Sequence, residues 1–248
     1  YKLAPVMQEG GTLVTDEEFG GLEFNCEGNV YNNGFNMTIG TNTIINFAYN
    51  TKIEMTGGNF ICNSGTEVGV NYFRGLNNEK WEGLKFTGCP VVNIQATEFD
   101  DLISPGHPDD FNFALKFVDC EYMLLRYNFF SGTNTSPRVG AVSIDYLYEP
   151  NWENQALDIF GNVFDYQSLV SPVIRISNYA FTQSPVLMRF NHFKGNNNSN
   201  NAVFLNNVTG GVIRNNKIEG FQNGIHSAVS YIDFFSNEVS NTGYENYH

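Results

Sequence analysis

A short motif, an asparagine followed two positions later by an apolar residue, recurs along the chain and limits the folds open to it. It is clearest in RFNHF (residues 189–193) and RNNKI (residues 214–218). Aligned copies follow one another at intervals of 21 to 34 residues, and the first has threonine in the asparagine position. The aligned positions are Thr97, Asn128, Asn162, Asn191, Asn216 and Asn237. A repeat of this length indicates structural units that stack on one another.

Apolar residues flank the aligned position in a fixed pattern. Two residues after it, every copy is apolar: Phe99, Phe130, Phe164, Phe193, Ile218 and Val239. Three residues before it, every copy is apolar again: Ile94, Leu125, Ile159, Met188, Ile213 and Phe234. This is the pattern of a short strand, a polar corner and a second strand. A further strand such as GLKF, ALKF or VIRI precedes each copy, and no helical pattern intervenes. The sequence therefore predicts an all-β parallel solenoid.

The recurring asparagine has a physical reason in such a solenoid. Equivalent residues of stacked coils lie about 4.8 Å apart, so amide side chains can hydrogen-bond from coil to coil as a ladder. Asparagine also tolerates a left-handed backbone at the corner. We expect a ladder through Asn128, Asn162, Asn191, Asn216 and Asn237 that is weaker at Thr97.

These repeats resemble the right-handed parallel β-helix of the pectate-lyase-like superfamily over residues 81–242. The preceding stretch, with NMTIGTNTIINFAYNTKIEMTGGNFICN and then WEGLKFTGC, is similar to large secreted or cell-surface proteins of Bacteroidota-type bacteria. The resemblance implies export by the type 9 secretion system. We divide the chain into a less regular N-terminal β-rich portion (1–80) and regular coils (81–248), in one continuous domain.

The composition narrows the functional classes. A formal net charge of −13 at pH 7 is opposite to the clustered positive charge that nucleic acids or anionic membranes attract. Every apolar run is shorter than the about 20 residues that span a bilayer. We therefore expect neither a nucleic-acid partner nor membrane insertion. The chain opens on Tyr1 without a leader-type segment, as expected of a mature secreted chain or of a segment of a longer protein.

The four cysteines allow two structural interpretations. Cys89 and Cys120 each follow an aligned phenylalanine by three residues, so they are expected to be neighbours in adjacent coils, within reach of a disulfide. Cys26 and Cys62 form a second candidate pair. The alternative is a stack of buried free thiols, since cysteine packs well inside a protein.

Basic residues are few and fall into two outward-facing columns. One column consists of Lys85, Lys116 and Arg175. The other consists of Arg126, Arg189 and Arg214, interleaved with Phe160 and Phe235. Cations and aromatic rings at coil spacing are suited to an acidic glycan. Charged residues that only keep the strands soluble and balance acids such as Asp158 and Asp233 are the alternative.

Acidic residues supply weak catalytic and metal candidates. The segment at residues 98–113 carries Asp100, Asp101, Asp109 and Asp110, and such oxygen-rich loops can bind calcium. It lacks a recognisable ligand register, so we assign no metal site or cofactor and keep these four as weak Ca²⁺ candidates. The weak catalytic candidates are Asp100, Asp101, Asp158, Arg126 and Arg189.

The sequence thus favours a non-catalytic, secreted or cell-surface β-helix that acts as a stalk, an adhesin segment or a glycan-binding platform. The alternative is a polysaccharide lyase or glycoside hydrolase that acts on an acidic polysaccharide. Expected partners are a polysaccharide or other surface and secretion-machinery proteins. The last residues, NTGYENYH, do not form an evident cap over the coil edges, so we expect the polypeptide or a partner to continue beyond His248.

Overall fold

The computed structural model describes residues 9–21, 23–62, 69–103, 112–131, 139–146, 156–166, 172–180, 186–240 and 245–247. In these ranges the chain is built from short β-strands that pair in parallel, with a 3₁₀ turn at Leu76–Asn78. Each coil of the chain contributes one strand to each of three walls, called sheets 1, 2 and 3. The predicted all-β solenoid is confirmed.

Each wall takes roughly every third strand. Sheet 1 contains β1 (Gly11–Leu13), β4 (Val30–Asn33), β7 (Lys52–Thr56), β10 (Gly83–Thr87), β13 (Asn112–Val118), β16 (Val139–Asp145), β19 (Ile174–Ala180), the middle of β21 (His192–Arg214), the end of β22 (Lys217–Ala228) and β25 (Glu245–Tyr247). Sheet 2 contains β2 (Glu17–Phe19), β5 (Met37–Ile39), β8 (Phe60–Cys62), β11 (Val91–Gln95), β14 (Tyr122–Arg126), β17 (Ala156–Phe160), β20 (Val186–Arg189), the end of β21 and β23 (Tyr231–Phe235). Sheet 3 contains β3 (Glu23–Cys26), β6 (Ile44–Phe47), β9 (Asn71–Gly75), β12 (Thr97–Phe99), β15 (Phe129–Ser131), β18 (Val163–Asp165), the starts of β21 and β22, and β24 (Glu238–Ser240).

The alternation of apolar and polar residues sets the register of the walls. A slip of one residue would turn every inward side chain outward. In the observed register, inward apolar residues pair with inward apolar residues, as in Leu84 with Leu115 and Phe86 with Phe117. β7 also pairs with β10, so sheet 1 runs through the boundary between the two predicted portions. In the described ranges no helix has the length and apolar character needed to cross a membrane.

The predicted asparagine ladder is present at the corner between sheets 2 and 3. The Oδ1 atom of Asn162 accepts hydrogen bonds from the backbone N–H and the side-chain amide of Asn128, at 2.9 and 3.0 Å. The Asn162 amide in turn donates to the Leu125 carbonyl, at 2.9 Å, and to Asn191, at 3.0 Å. The same pattern continues through Asn216 to Asn237. The ladder thus satisfies buried amides that the strands leave unpaired.

The ladder is weaker at Thr97, as predicted. The Thr97 backbone N–H donates to Asn128 Oδ1 at 3.0 Å, but its hydroxyl bonds to the Gln95 carbonyl within its own coil. One coil earlier, Asn71 accepts from the Thr43 backbone but directs its amide to the sulfur of Cys62. The continuous part of the ladder therefore begins at Asn128.

The prediction that the ladder asparagines themselves tolerate a left-handed backbone was misplaced by one residue. Positive φ angles occur at the residue that precedes each aligned position: Ala96, Tyr127, Gly161, Phe190, Asn215 and Ser236. The ladder asparagines do not adopt this conformation. The corner turns at the exposed residue, which leaves the asparagine side chain pointing inward.

Aromatic rings stack along the inside of sheet 3. Phe99, Phe130, Phe164 and Phe193 form an uninterrupted stack with centroid distances of 4.9, 5.0 and 4.7 Å. All four side chains are fully buried. Stacking of this kind stabilises beyond the area that the rings bury, so the stack strengthens the core along sheet 3.

Candidate functional site

An outward-facing column of sheet 2 carries the cations and rings expected from the sequence. The strand register places Arg126 beside Phe160, Phe160 beside Arg189, Arg189 beside Arg214, and Arg214 beside Phe235. Two exposed corner residues, Tyr127 and Phe190, adjoin this column. We call these residues the corner strip: Arg126, Tyr127, Phe160, Arg189, Phe190, Arg214 and Phe235.

The two corner rings of the strip are exposed and held in an unusual backbone conformation. Tyr127 has φ 56° and Phe190 has φ 58°, a left-handed region that bulky residues rarely occupy. Their exposed fractions are 62% and 54%, so burial of the rings does not offset this cost. Because every aligned corner is left-handed, the backbone belongs to the turn, and Tyr127 and Phe190 differ from the other corners in carrying large exposed rings. These rings make the corner between sheets 2 and 3 a candidate ligand-binding surface.

The rings of the strip pack edge to face. Phe160 lies between the two corner rings, 5.2 Å from Tyr127 and 5.6 Å from Phe190, measured between ring centroids. Glycine at position 161 leaves room for the Tyr127 ring, because a Cβ atom there would approach that ring to 2.9 Å. The Arg189 guanidinium carbon lies 5.1 Å from the centre of the Phe160 ring, within cation–π range.

Asp158 holds two guanidinium groups of the strip in place. Its Oδ2 atom accepts a hydrogen bond of 2.7 Å from Arg126, and Arg189 lies 3.4 Å from the same atom. The Asp158 side chain is only 8% exposed. Both carboxylate oxygens are thus engaged with arginines, and in this arrangement Asp158 positions cations.

Arg214 differs from these two arginines. It is exposed, and no carboxylate of the described residues lies within ion-pair distance of it. Among the described residues its guanidinium thus has no carboxylate partner, and guanidinium groups bind a carboxylate or sulfate in a bidentate manner.

The catalytic candidates fall into two separate groups, of which Asp158 with Arg126 and Arg189 is one. Asp158 lies on sheet 2, whereas Asp100 and Asp101 follow β12 on sheet 3. There the Asp100 carbonyl accepts from the Trp81 indole at 2.8 Å, and the buried Asp101 carboxylate accepts from the Gly75 backbone at 3.3 Å. These contacts tie the two residues to the neighbouring coil.

The metal candidates are only partly described. Asp109 and Asp110 lie outside the described residues. Within the ranges that the structure covers, no group of three or more His, Cys, Asp or Glu residues is placed to hold a metal ion. The structure describes two of the four Ca²⁺ candidates, Asp100 and Asp101.

All four cysteines are buried free thiols, so neither the Cys89–Cys120 nor the Cys26–Cys62 disulfide is formed in the structure. Cys62 contacts the hydroxyl of Thr97 instead. Burial raises the pKa of Cys26 to about 12 and that of Cys62 to about 11, which keeps these thiols protonated and unreactive at neutral pH.

The second basic column lies on sheet 1. The register pairs Lys85 with Lys116, and Ser143 separates Lys116 from Arg175. Lys85 forms an ion pair with Glu54, and Arg175 donates to Ser177 within its own strand. The ring beside this column is Phe204, which is half-buried, lies next to Arg175 in the register and stacks on His226.

The Lys85–Glu54 pair predicts a pH-dependent stability. The hydrogen bond from Lys85 holds the pKa of Glu54 below its ordinary 4.5, so the pair stabilises the fold above that pH and ceases to do so as Glu54 is protonated. We expect Lys85→Ala to lower the urea midpoint at pH 7, and to lower it progressively less as the pH falls below 4.5 and Glu54 becomes protonated in the folded state. An equal loss at all pH values would mean that Lys85 acts through packing alone.

The sequence prediction did not include the two corner rings, Tyr127 and Phe190, or the uneven distribution of acidic residues along the chain. From Tyr166 to Ile218 the sequence contains no Asp or Glu, although the whole chain has twice as many acidic as basic residues. The same stretch contains Arg175, Arg189, His192, Lys194, Arg214 and Lys217. In the structure, His192 and Lys217 both contact Glu219, at 2.7 and 3.0 Å, on the sheet 3 side of the corner.

The described surface also contains two shallow polar depressions of about 540 and 310 Å³ near the first coils. Their lining includes Glu23 and Asn25, and none of the strip residues contributes.

Comparison of the chain with protein-family models, with curated proteins and with solved structures found no match. The corner strip is thus the candidate site on the geometry and chemistry of the chain itself.

Proposed function

We propose that the protein is a non-catalytic, secreted or cell-surface β-helix that binds an acidic glycan along the corner strip. The observation that carries this proposal is the pair of exposed rings, Tyr127 and Phe190, in left-handed backbone beside guanidinium groups. The left-handed backbone belongs to the corner of every aligned coil, but of these corners only Tyr127 and Phe190 carry a ring. A ligand that packs on the rings would account for them.

The chemistry of the strip suits a sugar acid. The apolar face of a sugar ring packs on an aromatic ring, and a guanidinium binds a carboxylate or sulfate through paired hydrogen bonds. Successive coils rise by about 4.8 Å, close to the length of one sugar residue. A chain of sugar acids lying along the solenoid therefore meets a ring or a cation at each step.

The surroundings of Arg214 support an anionic ligand. Arg214 lies in the sequence stretch that lacks Asp and Glu and pairs with no described carboxylate, whereas Arg189 is held by Asp158 of the neighbouring coil. The engagement of Asp158 by two arginines supports binding without cleavage, because a general acid or base needs a free carboxyl group near the substrate.

The proposed setting is the cell surface or the extracellular space. It rests on the likeness of residues 36–89 to surface proteins exported by the type 9 system. In this setting, the glycan-binding strip would lie on a stalk or an adhesin segment. The partners in this setting are the glycan itself and other surface or secretion-machinery proteins.

Binding is tested with uronate polymers. We expect the full chain to bind polygalacturonate or alginate in isothermal titration calorimetry and not to bind dextran, a neutral polymer. Phe190→Ala and Arg214→Ala should each weaken binding about tenfold, the typical loss of an anchor that contributes about 1.4 kcal/mol. Because cations contribute, the affinity should also fall with added salt.

Matched variants separate binding from general surface effects. Tyr49 is 62% exposed, the same fraction as Tyr127, and it lies outside the strip. We expect Tyr49→Ala to bind normally and Tyr127→Ala to bind weakly. Equal affinity of all these variants would contradict the proposal, and so would release of unsaturated or reducing ends from the polymer, which would instead establish a lyase or a hydrolase.

A further inference from the structure

An apolar pair, Leu187 and Val212, lies on the outer face of sheet 2. The two residues face outward from β20 and from the end of β21, because the residues beside them in the chain are buried: Val186, Met188, Gly211 and Ile213. The strand register places Leu187 directly beside Val212, about 4.8 Å apart. Both side chains are half-buried. They therefore form one partly exposed apolar surface that spans two adjacent coils.

Acidic positions bound this surface on both sides. In the same outward column, Asp158 lies one coil before Leu187, and Asp233 lies one coil after Val212. Single apolar residues on a protein surface are common and have no special meaning. Two that are adjacent and lie between carboxylates instead define a short patch. Such a patch is far smaller than the about 800 Å² per partner that a stable protein interface buries, so a small apolar group is the occupant that fits it.

The apolar pair lies next to the cations of the corner strip. Arg189 follows Leu187 by two residues on β20. Arg214 follows Val212 in the same way at the end of β21. Residues two apart on a strand share a face and lie about 6.6 Å apart. Asp158 already holds Arg189, whereas Arg214 has no carboxylate partner among the described residues. An anionic sugar bound at Arg214 can therefore reach the apolar pair with its other edge.

We propose that the apolar pair binds O-acetyl groups of the glycan, so that the ligand is an acetylated uronate polymer. This inference rests on the proposed function and defines its ligand more closely. The carboxylate of a sugar acid binds Arg214, and the methyl group of an acetyl ester on a ring hydroxyl packs on Leu187 and Val212. Acetylation of a hydroxyl adds an apolar group and leaves the carboxylate charged. A methyl ester of the carboxylate does not fit, because it removes the charge that Arg214 binds.

The test compares two forms of one polymer that is free of methyl esters. Polygalacturonate with O-acetyl groups on its ring hydroxyls is titrated into the full chain in a calorimeter, and so is the same preparation after mild alkaline treatment. This treatment removes the acetyl groups and leaves the carboxylates in place. We expect the acetylated form to bind about fourfold more tightly, the effect of burying one methyl group.

Variants of the apolar pair test whether these residues cause the preference. Val212→Thr replaces one methyl group with a hydroxyl group and keeps the shape of the side chain. Leu187→Asn places an amide in a column that already has one at Asn93. In each variant, with its fold checked by circular dichroism, the ratio of the two affinities should fall to about twofold or less. Leu124→Asn is the matched control and should keep the full ratio, because Leu124 is a half-buried leucine of the same column that Asp158 separates from the pair.

The outcomes separate this inference from the proposed function. If both forms bind equally and Phe190→Ala weakens both, the strip binds uronate but the apolar pair does not select acetyl groups. A preference that survives in Leu187→Asn and Val212→Thr would also overturn the inference, since it would place the acetyl contact elsewhere. If neither form binds, the proposed function fails and this inference with it. A preference that is lost in these two variants and kept in Leu124→Asn is the expected result.

Discussion

Replacing Asn162 with leucine is expected to destabilise the fold by about 4 kcal/mol, because it leaves several buried groups without partners at once. The Asn128 backbone N–H and side-chain amide lose their shared acceptor, and the Leu125 carbonyl loses its donor. Each buried polar group left unpaired costs about 1–3 kcal/mol. Urea denaturation followed by circular dichroism measures the loss.

The control for this variant is Asn93→Ala. Asn93 lies on the outer face of β11, where its side chain accepts a hydrogen bond from Gln95. Its replacement by alanine should therefore change the free energy of unfolding by no more than about 0.5 kcal/mol. If Asn162→Leu also stays within about 1 kcal/mol of the unchanged chain, the ladder does not stabilise the fold as described.

Truncating Phe164 to alanine is expected to cost a similar amount, about 3–5 kcal/mol. Its ring stacks between Phe130 and Phe193 at 5.0 and 4.7 Å, with interplanar angles of 13° and 14°. The ring is fully buried, so alanine leaves a cavity in the middle of the stack. The unfolding free energy from urea titration is the measurement.

Phe190→Ala is the matched control, because it removes the same side chain from an exposed position. We expect a change within about 0.5 kcal/mol, and the same variant should lose glycan affinity. Phe164→Ala should do the reverse, with binding retained while the protein is folded. A larger stability loss for Phe190→Ala than for Phe164→Ala would contradict the assignment of inward and outward rings.

The architecture could be predicted because stacked coils require the same residue types at equivalent positions of each repeat. Asn128, Asn162 and Asn191 occupy the same slot in successive coils, and apolar residues two positions later turn inward every time. Once the slot is aligned, the register of sheets 2 and 3 follows. Sheet 1 takes its register from its own apolar alternation, as in Leu115 beside Val142. The columns of Arg126, Arg189 and Arg214 come from the same alignment.

The site was harder to predict because it depends on residues outside the alternating pattern. Tyr127 and Phe190 sit at the turn, where the rule of alternate inward and outward residues does not apply, and their left-handed backbone has no sequence signature. Pairing of Asp158 with two arginines depends on side-chain rotamers across coils. The stretch without acidic residues, by contrast, can be read directly from the sequence.

The most direct test of the proposed site is side-chain NMR during titration with an oligomer of galacturonic acid. We expect the Arg189 and Arg214 guanidinium signals and the Phe190 ring signals to shift together with one affinity, while Lys116 and Arg175 on sheet 1 stay unchanged. Shifts confined to sheet 1, with the strip signals unmoved at saturation, would contradict the account.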